Sequence, residues 1–296
     1  MYKEKKIIAH NDQLNFLLKN FNNRFPHTLL FSGPKGIGKY TTAMSFIDNI
    51  FKNKMNYEQN VFKINDDENK PALIDEIRKL INQVSLTNSN LNEKSFIIID
   101  NADSLNFNSF NALLKTLEEP PKNTVIIMIC HDFKKIPKTI VSRCLKIDFR
   151  TLTLNEMRKY CQINNIDLSN INLDENYQLF GGSIEKMLLF LSEDGQIVMS
   201  KFKKIVKRKK LNYLEFEDLY NFVAPDYDRF FKIIINCIYT FQKNKYINNQ
   251  NNEIAIKGII KFFNKLDNFF KQDLNIDKKK ELHYLLTEYI TTNIDG

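Results

Sequence analysis

Tryptophan is absent from this chain of 296 residues, and glycine, proline and cysteine are scarce. The four cysteines are scattered, at Cys130, Cys144, Cys161 and Cys237, and no two of them have CxxC spacing. That spacing is typical of zinc sites and of redox-active thiol pairs. We therefore expect neither a zinc site nor a redox function, and the pattern fits a reducing compartment.

Long hydrophobic runs are missing as well. The sequence has no stretch of about eighteen uninterrupted apolar residues, which a membrane-spanning helix requires. The first residues, MYKEKKIIAHNDQ, lack the apolar centre of a secretory signal peptide. We therefore expect a cytoplasmic protein without a membrane segment.

The charge is predominantly positive, with 43 Lys and Arg against 35 Asp and Glu and a net charge of +8. A basic surface can bind nucleic acid. However, the chain is rich in Lys, Asn, Ile and Phe and poor in Arg, as expected from an AT-biased genome, and this bias is the stronger explanation. Only Lys201–Lys210 is locally dense in basic residues. That run either contacts a nucleic-acid backbone or forms a solvated helix face.

Five short apolar segments in the first half of the chain predict β-strands, and segments with helical spacing lie among them. The strands are expected at Thr28–Ser32, Val61–Ile64, Ser95–Asp100, Thr124–Cys130 and Leu145–Phe149. Helices are expected at Lys39–Phe51, around residues 73–84, and from Phe107 to Leu117, the last with Asn106 as its cap. Strands that are apolar throughout and alternate with helices predict an α/β domain whose parallel sheet is covered on both faces.

After Arg150 the pattern is helical only. Short helices are expected over Leu154–Leu191, around the Gly181-Gly182 turn, and further helices from about Met199 to the end. We therefore divide the chain into an α/β domain (residues 1–149), a small helical domain (150–198) and an all-α domain (199–296).

The sharpest motif is a glycine-rich loop between the first predicted strand and its helix. Gly33–Lys39 reads GPKGIGK and fits the pattern GxxxxGK. In such a loop the backbone N–H groups wrap a phosphate, the helix N-terminus adds positive potential, and the lysine reaches the terminal phosphates. We therefore predict a nucleotide-phosphate site that includes Gly33, Gly36, Gly38 and Lys39.

Two positions depart from an active ATPase. A working loop places Ser or Thr directly after the lysine to hold Mg²⁺, but here that residue is Tyr40 and the hydroxyl comes one place later, at Thr41. One residue turns a side chain by about 100° around a helix, so Thr41 does not simply substitute. The strand FIII then delivers Asp100, but Asn101 follows it and cannot act as a base.

Thr41 and Asp100 stay in the predicted nucleotide site, whereas Mg²⁺ binding and fast hydrolysis are not expected. Two alternatives remain open for the loop: it is empty, or it holds ATP or ADP without hydrolysing it. Asp103 is near in sequence, and we expect it to point away from the site.

Arg143, within Ser142-Arg143-Cys144, follows a strand and a short turn. In one interpretation it is a surface arginine or forms a local salt bridge. In the other it is an arginine finger, a permanently charged fork that enters the nucleotide site of another subunit and acts there in trans.

Four stretches resemble successive motifs of the AAA+ clamp-loader subunits of bacterial DNA polymerase III. They are Gly33–Lys39 (GPKGIGK), Asp100–Leu105 (DNADSL), Asn111–Pro121 (NALLKTLEEPP) and Ile136–Cys144 (IPKTIVSRC). The resemblance covers about residues 7–150. It implies a RecA-like AAA+ domain with a degenerate P-loop, a helical lid and a C-terminal helical collar used for oligomerisation. Many family members carry a four-cysteine zinc module, but residues 52–70 contain no cysteine, so zinc is not expected.

Within this family the chain is more similar to delta-prime subunits than to the gamma/tau motor. The motor resembles a full ATPase, with Thr after the lysine, Asp-Glu in the second motif and a sensor arginine after its Gly-Ser turn. This chain has Tyr40, Asn101 and Glu185 at those places. The resemblance implies a subunit of the polymerase holoenzyme with no ATPase activity of its own, in which Arg143 serves a neighbour.

The implied partners are gamma/tau and delta subunits, and through the complex the sliding clamp and primed DNA in replication. Two alternatives remain. The first is a catalytically active gamma/tau-like ATPase, and the second is a nucleotide-gated DNA-binding regulator supported only by the basic run at residues 201–210.

Overall fold

The structure is a computed structural model that describes residues 8–21, 25–51, 57–64, 74–90, 94–168, 172–208, 210–248, 253–272 and 277–294. It groups them into two compact units. The first contains the described residues up to Asp174 together with Gly181–Glu185, and the second contains Glu175–Phe180 and the described residues from Lys186 onward. The predicted boundary between residues 198 and 199 falls inside a helix, and the three-domain division stays a prediction.

The first unit is built on a parallel five-stranded sheet with the strand order β2-β3-β4-β1-β5. The strands are β1 (Thr28–Ser32), β2 (Val61–Ile64), β3 (Ser95–Ile99), β4 (Thr124–Cys130) and β5 (Leu145–Asp148). All five predicted strands are confirmed, and two of them end one residue earlier than expected. Every residue of β1, β3 and β4 is buried, as predicted for strands covered on both faces.

Five helices accompany the sheet in the described part of this unit before residue 150: α1 (Asn11–Asn20), α2 (Lys39–Phe51), α3 (Ile74–Asn90), α4 (Phe107–Glu118) and the short α5 (Lys138–Val141). The predicted cap of α4 is confirmed, because the Asn106 side chain accepts a hydrogen bond from the Ser109 N–H at 2.8 Å. Apolar side chains of α3 and α4 pack with those of the central strands in one buried cluster, which includes Ile77, Phe110 and Ile126.

The rest of the described chain is helical, as predicted. The helices are α6 (Leu154–Ile163), α7 (Leu173–Phe180), α8 (Ile184–Leu191), α9 (Glu193–Val206), α10 (Tyr213–Val223), α11 (Tyr227–Asn248), α12 (Glu253–Gln272) and α13 (Lys278–Ile294). Among the described helices none is both long enough and apolar enough to cross a membrane.

Aromatic residues are a large part of the core of the second unit. Phe202 of α9 is fully buried, its ring stacks near that of Phe241 of α11, and it also packs against Tyr289 of α13. Phe262 of α12 is buried against the same tyrosine. Burying each such side chain contributes roughly 1.5–3 kcal/mol, so this cluster holds four helices together.

Candidate functional site

The glycine-rich loop lies at the carboxyl edge of the sheet, as its sequence predicts. The loop begins directly after β1 and ends where α2 starts at Lys39. Asp100 follows β3, and the register pairs Ser32 at the end of β1 with Cys130 at the end of β4. The parallel strands therefore bring the loop, Asp100 and the end of β4 to one edge, the usual ligand-binding edge of such sheets.

Lys39 is folded back onto its own loop. Its Nζ donates hydrogen bonds to the carbonyl oxygens of Gly33 and Pro34, both at 2.6 Å. The residue is only 3% exposed. Burial lowers the pKa of its ammonium group to about 8, although the nearby negative charges of Asp100 and Asp103 act in the opposite direction and raise it. At neutral pH the group is still mostly charged. The lysine predicted to reach phosphates is thus positioned within the loop.

Two glycines of the loop are required by close contacts. A Cβ at Gly33 would lie 2.3 Å from the carbonyl oxygen of Phe149. Gly36 has a φ of 73°, and a Cβ there would lie 2.4 Å from both the Ser183 Oγ and the Glu185 Cβ. The loop is therefore packed between the end of β5 and the turn that precedes α8. Gly38 closes the loop and accepts a hydrogen bond at its carbonyl from the Thr42 hydroxyl at 3.0 Å.

His10 contacts the backbone of the loop, a role that sequence reasoning did not identify. Its Nε2 lies 2.9 Å from the carbonyl oxygen of Ile37, and its ring packs edge-on against Phe149. Burial lowers the pKa of His10, so the neutral form with a proton on Nε2 donates this bond at pH 7. Nothing in the local sequence of a single buried histidine signals such a contact.

The residues after Lys39 do not match a Mg²⁺ site. The Tyr40 ring lies under the Lys63 ammonium, with 5.3 Å between Nζ and the ring centroid. Thr41 is half-buried on α2, one residue past the position where a metal-binding hydroxyl is needed. Because the required position carries a phenol engaged with a lysine, the donor set does not fit the metal, and no catalytic step is assigned to one.

The segment after β3 separates two carboxylates with different surroundings. Asp100 is half-buried, and its Oδ1 accepts the Asn101 N–H at 2.9 Å. Asp103 points to the end of β4, where its two oxygens accept the N–H groups of His131 at 2.9 Å and Asp132 at 3.1 Å. Both oxygens of Asp103 thus bind backbone N–H groups, as its expected orientation away from the site requires, although its negative charge still acts on Lys39.

Arg143 lies after α5, on the exposed surface of the first unit. Its Nε donates to Glu118 Oε1 at 2.8 Å, its Nη2 contacts the same oxygen, and its Nη1 donates to the carbonyl oxygen of Thr139 at 2.8 Å. The side chain is still one-third exposed. The local salt bridge considered from the sequence is therefore present, and it holds an arginine that remains accessible.

The basic run at residues 201–210 is partly neutralised by α10. Lys201 Nζ pairs with an oxygen of Asp218, and Lys204 and Arg208 both pair with Glu215, at 3.5 Å and 2.6 Å. Three cations of the run are thus engaged inside the second unit. This pairing weakens the support for a DNA-binding surface, because paired cations release fewer counterions on binding DNA.

Comparison with known proteins agrees with the loop and the sheet. The family model described as DNA polymerase III, delta subunit, matches residues 10–153. This part of the chain is therefore similar to subunits of DNA polymerase III. The matched stretch contains the loop, Asp100 and Arg143 and ends just after β5.

Curated relatives of this family cover similar parts of the chain. The tau subunit of DNA polymerase III from Bacillus subtilis is 35% identical over 152 residues, which are 44% of this chain and 26% of the relative. The gamma subunit from Buchnera aphidicola is 34% identical over 169 residues, or 50% of this chain and 45% of the relative. The chain thus spans from about a quarter to a half of the length of these relatives.

The fold extends beyond the matched residues. A DNA polymerase III gamma subunit-related protein from Thermotoga maritima superimposes with a TM-score of 0.56 at 17% identity, over 94% of this chain and 99% of that one. The chain therefore shares with this protein the fold of an α/β domain with a parallel sheet followed by a helical region, as its sequence predicts.

Proposed function

We propose that the chain is a delta-prime-like subunit of the DNA polymerase III clamp loader that does not hydrolyse ATP itself. The observation that supports this most is the state of its phosphate loop. Lys39 and the loop glycines are kept, whereas Tyr40, packed near Lys63, occupies the metal-ligand position and Asn101 occupies the position of the base. The loop thus has the parts that cradle a phosphate and lacks those that split one.

In this proposal Arg143 acts in trans as an arginine finger for a neighbouring gamma/tau ATPase. An arginine in this role must be charged, accessible and held in a defined direction. Arg143 has these properties: it is one-third exposed, and Glu118 and Thr139 hold its guanidinium at the end of α5. Its partners are then gamma/tau and delta subunits, and through them the sliding clamp and primed DNA.

The first experiment measures ATP turnover by the purified chain with Mg²⁺. The expected result is turnover far below the range of about 1–100 s⁻¹ typical of phosphoryl-transfer enzymes such as kinases. A rate near 1 s⁻¹ or above would overturn the proposal. It would instead support the alternative, an active gamma/tau-like motor, which is favoured by the names of the relatives from Bacillus and Buchnera.

The second experiment tests Arg143 in the reconstituted loader. Arg143→Ala should leave assembly intact and lower the DNA-stimulated ATPase at least tenfold, since arginine fingers contribute about 10³–10⁵ in rate. Arg158→Ala is the matched control, because Arg158 is also an exposed arginine paired with a carboxylate, that of Asp174. If the Arg143 variant and this control give rates within twofold of each other, the finger assignment is wrong.

The nucleotide-gated DNA-binding regulator makes a different prediction. It requires tight, salt-sensitive binding of DNA by the isolated chain. The ion pairs that Asp218 and Glu215 form with the basic run argue against it. A DNA affinity that is weak and unchanged when Lys203 is replaced by Ala would exclude this alternative.

A further inference from the structure

The turn before α8 lies directly against the phosphate loop. The N–H of Ile184 donates to the carbonyl oxygen of Gly36 at 2.9 Å, and the N–H of Leu152 donates to that of Gly182 at 3.0 Å. These backbone hydrogen bonds fix the turn between the segment that follows β5 and the phosphate loop. The position of Glu185 is therefore set by main-chain contacts and does not depend on its own side chain.

The Glu185 carboxylate consequently faces the loop. Its Oε2 lies 2.9 Å, and its Cβ 2.4 Å, from the place where a Cβ at Gly36 would be. Its Oε1 lies 3.5 Å from the Nζ of Lys35, in the same loop. Lys35, a cation of the loop, is thus paired with the carboxylate of Glu185. This carboxylate places a negative charge beside the loop that would bind a polyphosphate.

We propose that Glu185 controls nucleotide affinity, acting as an internal anion that competes with the polyphosphate of a nucleotide for the loop. A phosphate held by the loop lies well within the Debye length of about 10 Å from the carboxylate, so the repulsion is only partly screened. The loop has two cations to balance it, Lys35 and Lys39. The first pairs with Glu185, and the second donates to loop carbonyls. The donor set for Mg²⁺, which would offset part of the charge, does not fit.

This inference rests on the proposed function, because it concerns the same degenerate loop, and it adds a specific reason why that loop would bind a nucleotide weakly. The repulsion is greater for ATP than for ADP, since ATP carries an additional charged phosphate. The discriminating quantity is therefore the ratio of the two affinities, which a general loosening of the fold does not change.

The test measures the Kd of ATP and of ADP by isothermal titration calorimetry on the full chain, without Mg²⁺. Glu185→Gln, which keeps the shape of the side chain, should tighten ATP binding about tenfold, equivalent to 1.4 kcal/mol. Glu185→Gln should tighten ADP binding by a smaller factor. Glu185→Arg should tighten the binding of both nucleotides more than Glu185→Gln does. Glu193→Gln is the matched control, because Glu193 is also an exposed acid in the first turn of a helix and its loss changes the net charge equally.

Two further measurements make the outcome decisive. Adding Lys39→Ala to Glu185→Gln should abolish the gain, which places the binding in this loop. Circular dichroism should show the same helix content in every variant. If Glu185→Gln and Glu193→Gln bind ATP within twofold of each other, or if no variant binds either nucleotide, the inference is wrong. A Glu185 variant that binds tightly and also hydrolyses ATP would support this inference and overturn the proposed function.

Discussion

Replacing Asp103 by alanine is expected to destabilise the first unit without changing any catalytic step. The Asp103 carboxylate accepts two backbone hydrogen bonds, from the N–H groups of His131 and Asp132, at the edge where β4 ends. A hydrogen bond to a charged group contributes about 1.5–3 kcal/mol. Because the side chain is half-buried, we take the lower value for each bond, so Asp103→Ala should cost about 3 kcal/mol.

The assay combines urea unfolding, followed by circular dichroism, with amide hydrogen exchange. Exchange reports local opening, so the N–H groups of His131 and Asp132 should lose protection in the variant. Asp103→Asn keeps an acceptor oxygen without the charge and should cost about half as much. Asp132→Ala is the control, because the Asp132 carboxylate accepts one N–H, from Lys134 at 3.0 Å, and its loss should cost about 1 kcal/mol.

The structural role of Asp103 would be refuted by a stability loss below about 0.5 kcal/mol with unchanged exchange at residues 131 and 132. If, in addition, the variant lowered a measurable ATP turnover of the chain, Asp103 would be a catalytic carboxylate. In that case the interpretation that the segment with Asp100 and Asn101 is catalytically inactive would also be wrong.

Three further outcomes are expected. Glu156→Gln should lower the unfolding free energy by about 1–2 kcal/mol at pH 7, because the hydrogen bond from Arg150 lowers the pKa of Glu156 to about 2. The difference between variant and wild type should vanish as the pH falls from 4.5 toward 2 and Glu156 becomes protonated. His10→Gln should make the unfolding free energy less sensitive to acid below pH 6.5. Burial lowers the pKa of His10 in the folded chain, so below pH 6.5 the unfolded wild-type chain binds one more proton than the folded chain. This difference lowers the wild-type unfolding free energy by up to about 1.4 kcal/mol per pH unit. Phe202→Ala should cost about 3–5 kcal/mol in urea unfolding, whereas Phe107→Ala, at a position 72% exposed, should cost little.

The strands and helices of the first unit were predictable from the sequence because their signals are local. Segments such as Thr124–Cys130 are apolar at every position, which is typical of a strand buried on both faces. The Asn106 cap is a contact between residues three apart, so its chemistry is visible in the sequence. The order of GPKGIGK between a strand and a helix likewise predicted where the loop would lie.

The roles of Lys39, Tyr40 and Arg143 were only partly predictable. Their residue types follow from the motifs, but their contacts do not. Lys39 binds the carbonyls of its own loop, Tyr40 of α2 packs near Lys63 of β2, and Arg143 is held by Glu118 of α4. Whether Arg143 serves a neighbour, and whether a nucleotide enters the loop, remain predictions for the experiments above.

By itself, the sequence determined the parallel sheet, the helical remainder, the phosphate loop and the replacements at Tyr40 and Asn101. Only the tertiary structure decided that His10 binds Ile37, that Asp103 binds the end of β4 and that Glu185 lies against Gly36. The physical reason is range. Apolar periodicity and capping act within a few residues, whereas these contacts join residues far apart in the chain, and their partners are selected by how the sheet and its loops pack.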